Sequence, residues 1–592
     1  MDKKNITFGT VFVLAAIACF FISNKYFPPA ANPAAVHAAA GSPATPAGTT
    51  AENSAASNLL PENNSSLEFA ATSSDHAGAT VTKLQNSSIE VTFTDFGGSI
   101  RDVALKKFAA TQDSPSPFVL NELHKDPIAA FVQFPGLDRS TKYTLVSHTD
   151  REIVFRTIWN KQLEVTRRYV LSPDLVGKTD PYQLRLETTF RNLTGQIVTL
   201  PGLQLALGTA APVSTKDFGL QLNTGFSTPN SKQTFLTRSQ LEPSNGILGM
   251  VGGHGPVAQL QNPGPLAWAV VSNQFFASIL TPDQPASGLV TRRVKLLNNL
   301  PDSDNSAYGI TADAVLTVPP IAANASVTLG SQLYVGPKEY SRLANTDVFG
   351  ADQDKVMNFG IWHWFSELLL NLLHWMHHIS SNWGVAIILA TLALKIVFLP
   401  FTLAASRSAK RMQKLQPELA AIKTKFKDNP QKQQMATMEL FKANKVNPVG
   451  GCLPMLITLP FFFGFYRMLS SSAELRFAPF LWAHDLSAPD TIGHVFGFPI
   501  NILPLLLGAT MLLQMQLTPQ PSVDNSQAKM MKLMPLIFMF FCYSYSCALS
   551  LYSTVNALFT IIQQLVINRM REPAPVAVPT GKALKNVTPK RK

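Results

Sequence analysis

Two hydrophobic periodicities divide this chain. From about residue 66 to 345, apolar and polar positions alternate with a period of two. In YQLRLETTF, Leu184, Leu186, Thr188 and Phe190 share one face, and Arg185, Glu187 and Thr189 share the other. Leu163, Val165 and Tyr169 alternate in the same way with Glu164, Thr166 and Arg168. Successive side chains of a strand point to opposite faces, so this pattern predicts half-buried strands. Similar runs recur at SIEVTFTDF, REIVFRTIW, LAWAVVSNQFFASIL and SVTLGSQLYV, separated by Gly, Pro, Asn and Asp clusters. Many short strands with turn punctuation predict a large all-β sandwich. It carries no paired carboxylates, nucleophile elbow or glycine-rich phosphate loop, which points to binding or scaffolding rather than catalysis.

Beyond about residue 352 the period lengthens and the chain becomes helical and mostly apolar. In FGIWHWFSELLLNLLHWMHHI (359–379), polar residues recur at 363, 366/367, 371, 374 and 377/378. That spacing gathers them into one stripe, which predicts an interfacial amphipathic helix within 352–382. The stripe accounts for His374, His377 and His378 without a metal, and none is expected. Five runs long enough to span a bilayer follow, at 383–403, 449–469, 498–517, 531–547 and 548–567. The last two meet at SYSCAL, read as a tight reversal. A sixth, ITFGTVFVLAAIACFFI at 6–22, follows Lys3 and Lys4. It is long for a signal sequence and no small-residue cleavage site follows closely, so residues 1–27 are expected to be an uncleaved anchor. Residues 28–65, rich in Ala, Pro, Ser, Thr, Gly and Asn, cannot bury enough surface to offset their ordering entropy and read as a flexible linker.

Charge placement tests this arrangement. Charged residues make up only 15% of the chain, against roughly 25% in soluble domains, and the net charge is +12. Segment 404–446 holds ten Lys/Arg against Glu418, Asp428 and Glu439, and the tail after 568 holds seven against Glu572. The loop 470–497 holds Arg476 against Glu474, Asp485 and Asp490. Basic loops stay in the cytoplasm, so 404–446 and both termini are expected inside, with 470–497 and 28–382 outside. Six spans satisfy every loop. The four cysteines, Cys19, Cys452, Cys542 and Cys547, lie in or beside apolar runs and offer neither a disulfide framework nor a zinc pattern.

Lys395 stands inside the run WGVAIILATLALKIVFLPFTL. A lysine at a helix centre costs about 2.5–3.5 kcal/mol on insertion scales. Two readings are open: the ammonium snorkels to the inner headgroups, or it faces a water-filled cavity open to the cytoplasm. Thr391, four residues earlier, shares its face. The final span adds Tyr552, Ser553, Thr554, Asn556 and Thr560, and Gln514 lies in the span at 498–517. So many polar groups near one cation argue for a wetted surface. The predicted spans contain no Asp or Glu, which argues against proton-coupled transport and for a cation that attracts a passing acidic or polar peptide.

Segment 404–446 places Met412, Leu415, Leu419, Ile422 and Phe426 at heptad spacing, breaks at DNP (428–430), and returns with Met435, Met438 and Phe441. It predicts a basic antiparallel helical hairpin. Either the hairpin packs on itself, or Met412, Leu415, Leu419, Met435 and Met438 capture an apolar partner helix. The tail, ending VTPKRK, serves as a topology signal or contacts ribosomal RNA.

Four stretches carry a resemblance: LYVGPKEY (333–340), LQPEL (415–419), NPVGGCLPMLITLPFFFGFYRML (447–469) and VNALFTIIQQLVINR (555–569). Together they resemble the YidC/Oxa family of membrane-protein insertases in its Gram-negative form, over essentially the whole chain. The resemblance implies an α-helical polytopic inner-membrane protein with six spans and a large all-β periplasmic domain, a supersandwich at 66–345. Five spans form an insertase core at 383–568, with the cytoplasmic hairpin between the first two and a basic tail at 569–592. It implies a non-enzymatic insertase and folding chaperone with no cofactor. Its positively charged groove would open to cytoplasm and lipid and be closed on the outer side. Implied partners are nascent membrane-protein chains, membrane lipids, the Sec translocon and, through the tail, the ribosome. Lys395 occupies a position that is usually arginine, which keeps the charge and loses the bidentate fork. Thr391 and Tyr552 match polar groove positions, Ser553 falls where another tyrosine often stands, and Gln514 and Asn556 complete the expected lining. The rival expectation is a scaffold for a secretion channel in which Lys395 only snorkels. A secondary transporter is disfavoured by the lack of an inverted repeat.

Overall fold

The computed structural model describes residues 76–569, apart from 135, 175–178, 215–216, 218, 244–254, 298, 300, 302–306, 351, 428, 445–452 and 518–524. The expected anchor at 1–27, the linker at 28–65, the NPVGGC stretch and the tail beyond Arg569 lie outside the described residues. The chain divides into two compact units between Met357 and Asn358.

The first unit is all-β. Its strands are β1 (Val81–Gln85), β2 (Ile89–Thr94), β3 (Ser99–Ala109), β4 (Pro117–Leu120), β5 (Phe131–Val132) and β6 (Thr144–His148). Next come β7 (Glu152–Trp159), β8 (Leu163–Leu171), β9 (Gln183–Asn192), β10 (Leu203–Ala210), β11 (Asn223–Ser227) and β12 (Gln233–Thr237). The last are β13 (Gln259–Leu266), β14 (Trp268–Ser272), β15 (Phe276–Pro282), β16 (Ala286–Lys295), β17 (Tyr308–Leu316) and β18 (Ser326–Pro337). A nine-stranded sheet runs β12-β11-β14-β15-β18-β9-β8-β7-β6, a five-stranded sheet β13-β16-β17-β10-β5, and a four-stranded sheet β1-β2-β3-β4. The pairings within them are antiparallel.

The alternation read from YQLRLETTF appears as register. Leu184 and Leu186 of β9 are buried beside Leu333 and Ser331 of β18, whereas Arg185 and Glu187 reach the outer face. The two larger sheets meet through β10, β11, β14, β15 and β17, and Thr224 of β11 bonds Thr291 of β16 inside the core at 2.9 Å. Strands β10 and β17 are buried along their whole length, so neither shows clean alternation. Phe93 of the four-stranded sheet stacks edge-on against Tyr169 at 4.9 Å, and each such buried aromatic contributes roughly 1.5–3 kcal/mol. Gly208 has φ +88, and a Cβ there would meet the Ile128 side chain, so glycine suits this bend of β10.

Several charges buried in this unit carry partners. The Arg167 guanidinium donates to the Gly97 and Ala129 carbonyls. Arg292 pairs with the fully buried Asp313 at 2.6 Å, and Arg342 pairs with Asp180. The unit extends beyond residue 345: Phe349 lies edge-on to Tyr334 at 5.3 Å, and Gln353 donates to Thr281 at 2.8 Å.

The second unit is helical. Helix α1 spans His363–Ser380, α2 Trp383–Lys414, α3 Gln416–Lys425 and α4 Pro430–Ala443. Helix α5 spans Leu453–Ser471, α6 Ile502–Leu517, α7 Asn525–Cys542 and α8 Cys547–Arg569. Between α5 and α6 a small hairpin pairs β19 (Thr491–Val495) with β20 (Phe498–Asn501). Helix α8 packs on α2, α6 and α5, and α1 packs on α2 and α5.

Four sequence expectations shift in detail. The polar stripe of α1 loses Ser366, which turns inward among Phe365, Leu369, Leu370 and Leu373 and donates to the Gly464 carbonyl at 3.2 Å. The exposed side carries Trp364, Leu368, Trp375 and Ile379, so this helix has two apolar faces. The first arm of the basic hairpin continues α2 to Lys414, and the chain breaks at Leu415 because Pro417 has no N–H for the helical ladder. The apolar run at 498–517 begins as a strand and becomes helical only at Ile502, where Asp490 accepts the Leu503 N–H at 2.7 Å. Helix α6 is therefore 16 residues long, about 24 Å. The reversal before α8 falls at Tyr543–Ser546, and the first α8 amides donate to Ala488 and Leu486 in the loop between α5 and α6. Among the described residues, Trp383–Met412 and Cys547–Arg569 are long and apolar enough to cross a membrane, and Ile502–Leu517 is a shorter apolar helix.

Candidate functional site

Helices α2 and α8 share a polar seam within otherwise apolar surfaces. On α2, Thr391, Lys395 and Thr402 recur at helical spacing. Ile396, Val397 and Phe401 of the same helix are exposed. On α8, the apolar outer face is Leu558, Ile562, Leu565 and Val566. The buried face carries Ser550, Tyr552, Ser553, Thr554, Gln563 and Gln564.

Lys395 bridges the two helices. Its Nζ donates to Thr560 Oγ1 at 2.9 Å and lies 5.8 Å from the centre of the Phe559 ring. Thr560 Oγ1 in turn donates to the Asn556 carbonyl at 2.7 Å. A hydroxyl and the face of a ring compensate an ammonium far less than a carboxylate does. Among the described residues, the recorded ion pairs give Lys395 no carboxylate. Further along the seam, Thr402 Oγ1 lies 3.4 Å from Gln563 Oε1. Lys410 then donates to the Ile567 and Asn568 carbonyls at 2.8 and 3.2 Å, satisfying acceptors left open at the end of α8.

The expected groove residues do not all meet. Thr391 is 2% exposed, and its hydroxyl donates back to Ile387 at 2.7 Å rather than toward Lys395. Tyr552 is buried and stacks on Phe465 at 4.1 Å. Ser553, also buried, joins Ser550 and Thr554 as side-chain hydroxyls that find no hydrogen-bond partner among the described residues. Asn556 is half-buried and supplies its carbonyl to the Lys395–Thr560 chain. Gln514 is half-buried on α6, which packs on the other side of α8. Sequence reasoning did not single out Thr402, Gln563, Gln564, Phe465 or Lys410 for this site. The α2 spacing 391, 395, 402 would have found Thr402. The others required knowing which face of α8 turns inward.

In the basic hairpin, Leu415 is 1% exposed and forms its core with Leu440, supported by Met412, Leu419, Ile422 and Phe441. Met435 and Met438 stand outside that core, each 55% exposed. The five expected capture residues therefore divide into three core or core-flanking positions and two surface methionines. Two histidines of α1 make side-chain contacts: His377 stacks on Trp383 at 3.8 Å, and His374 Nε2 lies 3.4 Å from Glu474.

The loop between α5 and α6 caps the starts of α6 and α8. Asp485 Oδ1 accepts from the Phe477 and Ser487 amides, and Asp490 accepts from Trp482 and Leu503. Burial pulls the neighbouring Arg476 guanidinium down to about 10, against the opposing pull of Asp485.

A large all-β unit followed by apolar helices with a polar seam defines a class: membrane proteins carrying a large β domain. Comparison agrees at both ends, because residues 81–372 match the family described as YidC periplasmic domain and residues 375–574 match 60Kd inner membrane protein. The chain is 30% identical over 513 residues to the membrane protein insertase YidC of Tolumonas auensis, covering 83% of this chain and 87% of the relative. It is 30% identical over 564 residues to that of Cellvibrio japonicus, covering 89% and 93%. A crystal structure of an active YidC insertase with its first transmembrane domain resolved aligns over 85% of this chain and 96% of its own, at 18% identity and TM-score 0.32. The chain belongs to the YidC family of membrane-protein insertases. Its role is insertion rather than enzymatic catalysis.

Proposed function

We propose that nascent membrane-protein segments enter the bilayer along the α2–α8 seam, through a hydrated, positively charged groove open to the cytoplasm. In this reading the chain crosses the membrane six times, with both termini and the basic hairpin inside and the β unit and the 470–497 loop outside. The observation that carries it is the pairing of Lys395 with a neutral hydroxyl. An intramembrane cation costs about 2.5–3.5 kcal/mol even when it can reach water, so a transient acidic or polar peptide is a better partner than Thr560. The orphan hydroxyls of Ser550, Ser553 and Thr554 support a surface satisfied by water or by a passing chain. Thr391, Tyr552, Ser553 and Asn556 line the wall, and Gln514 approaches it from α6. Thr391 and Tyr552 are buried, so in this reading they become accessible when α2 and α8 part. Apolar client segments then leave for lipid, driven by about 25 cal/mol per Å² of buried apolar surface.

Met435 and Met438 present an adaptable apolar surface for the incoming segment, while the hairpin lysines face anionic lipid. The Sec translocon, and the ribosome through the tail, are the partners this arrangement would serve.

Reconstitution in proteoliposomes tests the reading with a single-spanning client. A charge-assisted hydrogen bond contributes about 1.5–3 kcal/mol, so Lys395→Ala is expected to lower insertion roughly tenfold or more. Lys395→Arg is expected to insert like the wild type. If the alanine variant inserts as well as the parent, the groove charge has no part in the route.

A further inference from the structure

The β19–β20 hairpin, TIGHVFGFPIN, bears an apolar tip that the fold does not use. Phe496 is 98% exposed, Phe498 76%, Ile492 55% and Val495 50%. Val495 and Phe498 are cross-strand partners, so they flank the turn together. The two turn residues, Phe496 and Gly497, have φ +50 and +82. Asn, Asp and Gly are the residues that favour such a turn, and a bulky phenylalanine there is conformationally unfavourable. Residues 491–501 contain no Lys, Arg, Asp or Glu. A water-exposed turn of this type is ordinarily polar, so the phenylalanine answers to something other than turn geometry.

The base of the hairpin is fixed. Thr491 donates to Asn501 at 2.7 Å, Asn501 Nδ2 donates to the Tyr543 carbonyl at 2.7 Å, and the Tyr543 hydroxyl donates to Pro499. Strand β20 runs directly into α6 at Ile502, and α6 carries exposed Leu505, Leu506 and Leu513. The apolar tip is therefore continuous along the chain with the outward face of a membrane helix. Among the exposed residues of the hairpin, His494 is the one polar side chain.

We propose that this hairpin is a lipid anchor: its tip inserts among the acyl chains of the outer leaflet and holds the 470–501 loop at fixed depth beside α6. The expected depth is about 5–10 Å below the headgroups, as for other interfacial apolar elements. The inference rests on the topology proposed above, which places this loop outside.

The test is photocrosslinking from p-benzoylphenylalanine, a conservative aromatic replacement, at position 496 of the full chain. The chain is reconstituted in phosphatidylethanolamine/phosphatidylglycerol vesicles. The same residue at Leu505 reports whether α6 faces lipid, and at Asp150, an exposed turn of the β unit, it gives the aqueous background. Phospholipid adducts are expected at 496 and 505 in comparable yield, with only background at 150. Adducts at 505 with background at 496 overturn the anchor and leave the topology standing. Background at both overturns the topology and the anchor with it. In native membranes, a protein adduct at 496 in place of the lipid adduct assigns the tip to a protein partner and likewise overturns the proposal.

Discussion

Three arginines of the β unit and the part-buried Lys395 of the helical unit are compensated in opposite ways. In the β unit, Arg342 and Arg292 meet the carboxylates of Asp180 and Asp313, and Arg167 meets two carbonyls. In the helical unit, Lys395 meets a threonine hydroxyl and the face of a phenyl ring. The first arrangement holds a fixed structure, because breaking a buried pair strands a charge. The second leaves interaction capacity over, and a transient client can take it up. In the proposed route, buried charge thus serves permanence in one unit and exchange in the other.

The largest effect that would break this comparison lies in the β unit. Arg292→Ala takes its ion pair from the fully buried Asp313 carboxylate, and a loss of about 3–5 kcal/mol in that unit's unfolding free energy is expected. Chemical denaturation followed by near-ultraviolet circular dichroism measures it. A change within error would mean that the β unit, too, tolerates unpaired charge.

The basic hairpin supplies a sharper contrast. Leu440→Ala removes a side chain from the Leu415–Leu440 core and is expected to destabilise the hairpin by about 2–5 kcal/mol. Replacing Met435 and Met438 with serine changes stability by only about 0.5 kcal/mol or less but is expected to weaken crosslinking of a nascent client to the hairpin. Equal crosslinking would remove these methionines from the capture surface.

A further effect concerns a lysine of the β unit that is more deeply buried than the half-buried Lys395. Lys338, within LYVGPKEY, is 1% exposed, and burial pulls its ammonium down to about 7 from the ordinary 10.5. The unfolded chain then binds more protons than the folded one between those values. Stability is expected to be lowest below pH 7 and to climb as pH rises toward 10.5. Thermal scans of the β-unit transition at pH 6 and pH 9 should show it, and Lys338→Met should flatten the slope. A transition that moves downward over that interval would contradict the sign.

Much of this molecule was determined by its sequence alone. Period-two alternation marks β8 and β9, because a strand with one wet face must alternate. The apolar runs around α2 and α8 and the intramembrane lysine stand out for an equally general reason: a charge in lipid is too costly to be accidental. The heptad seam and DNP break locate the basic hairpin.

Tertiary structure decided what depends on neighbours distant in the chain. Nothing local says that Thr560, 165 residues away, receives the Lys395 proton donor. Nor does local pattern say that Thr391 turns back to its own helix, or that Leu415 is core while Met435 is surface. Asp490 sets where α6 begins by accepting an amide 13 residues ahead. Strands β10 and β17 hide their alternation because both faces are covered. In each case local periodicity reports one buried face, and only packing decides which neighbour covers it and whether a second face is buried as well.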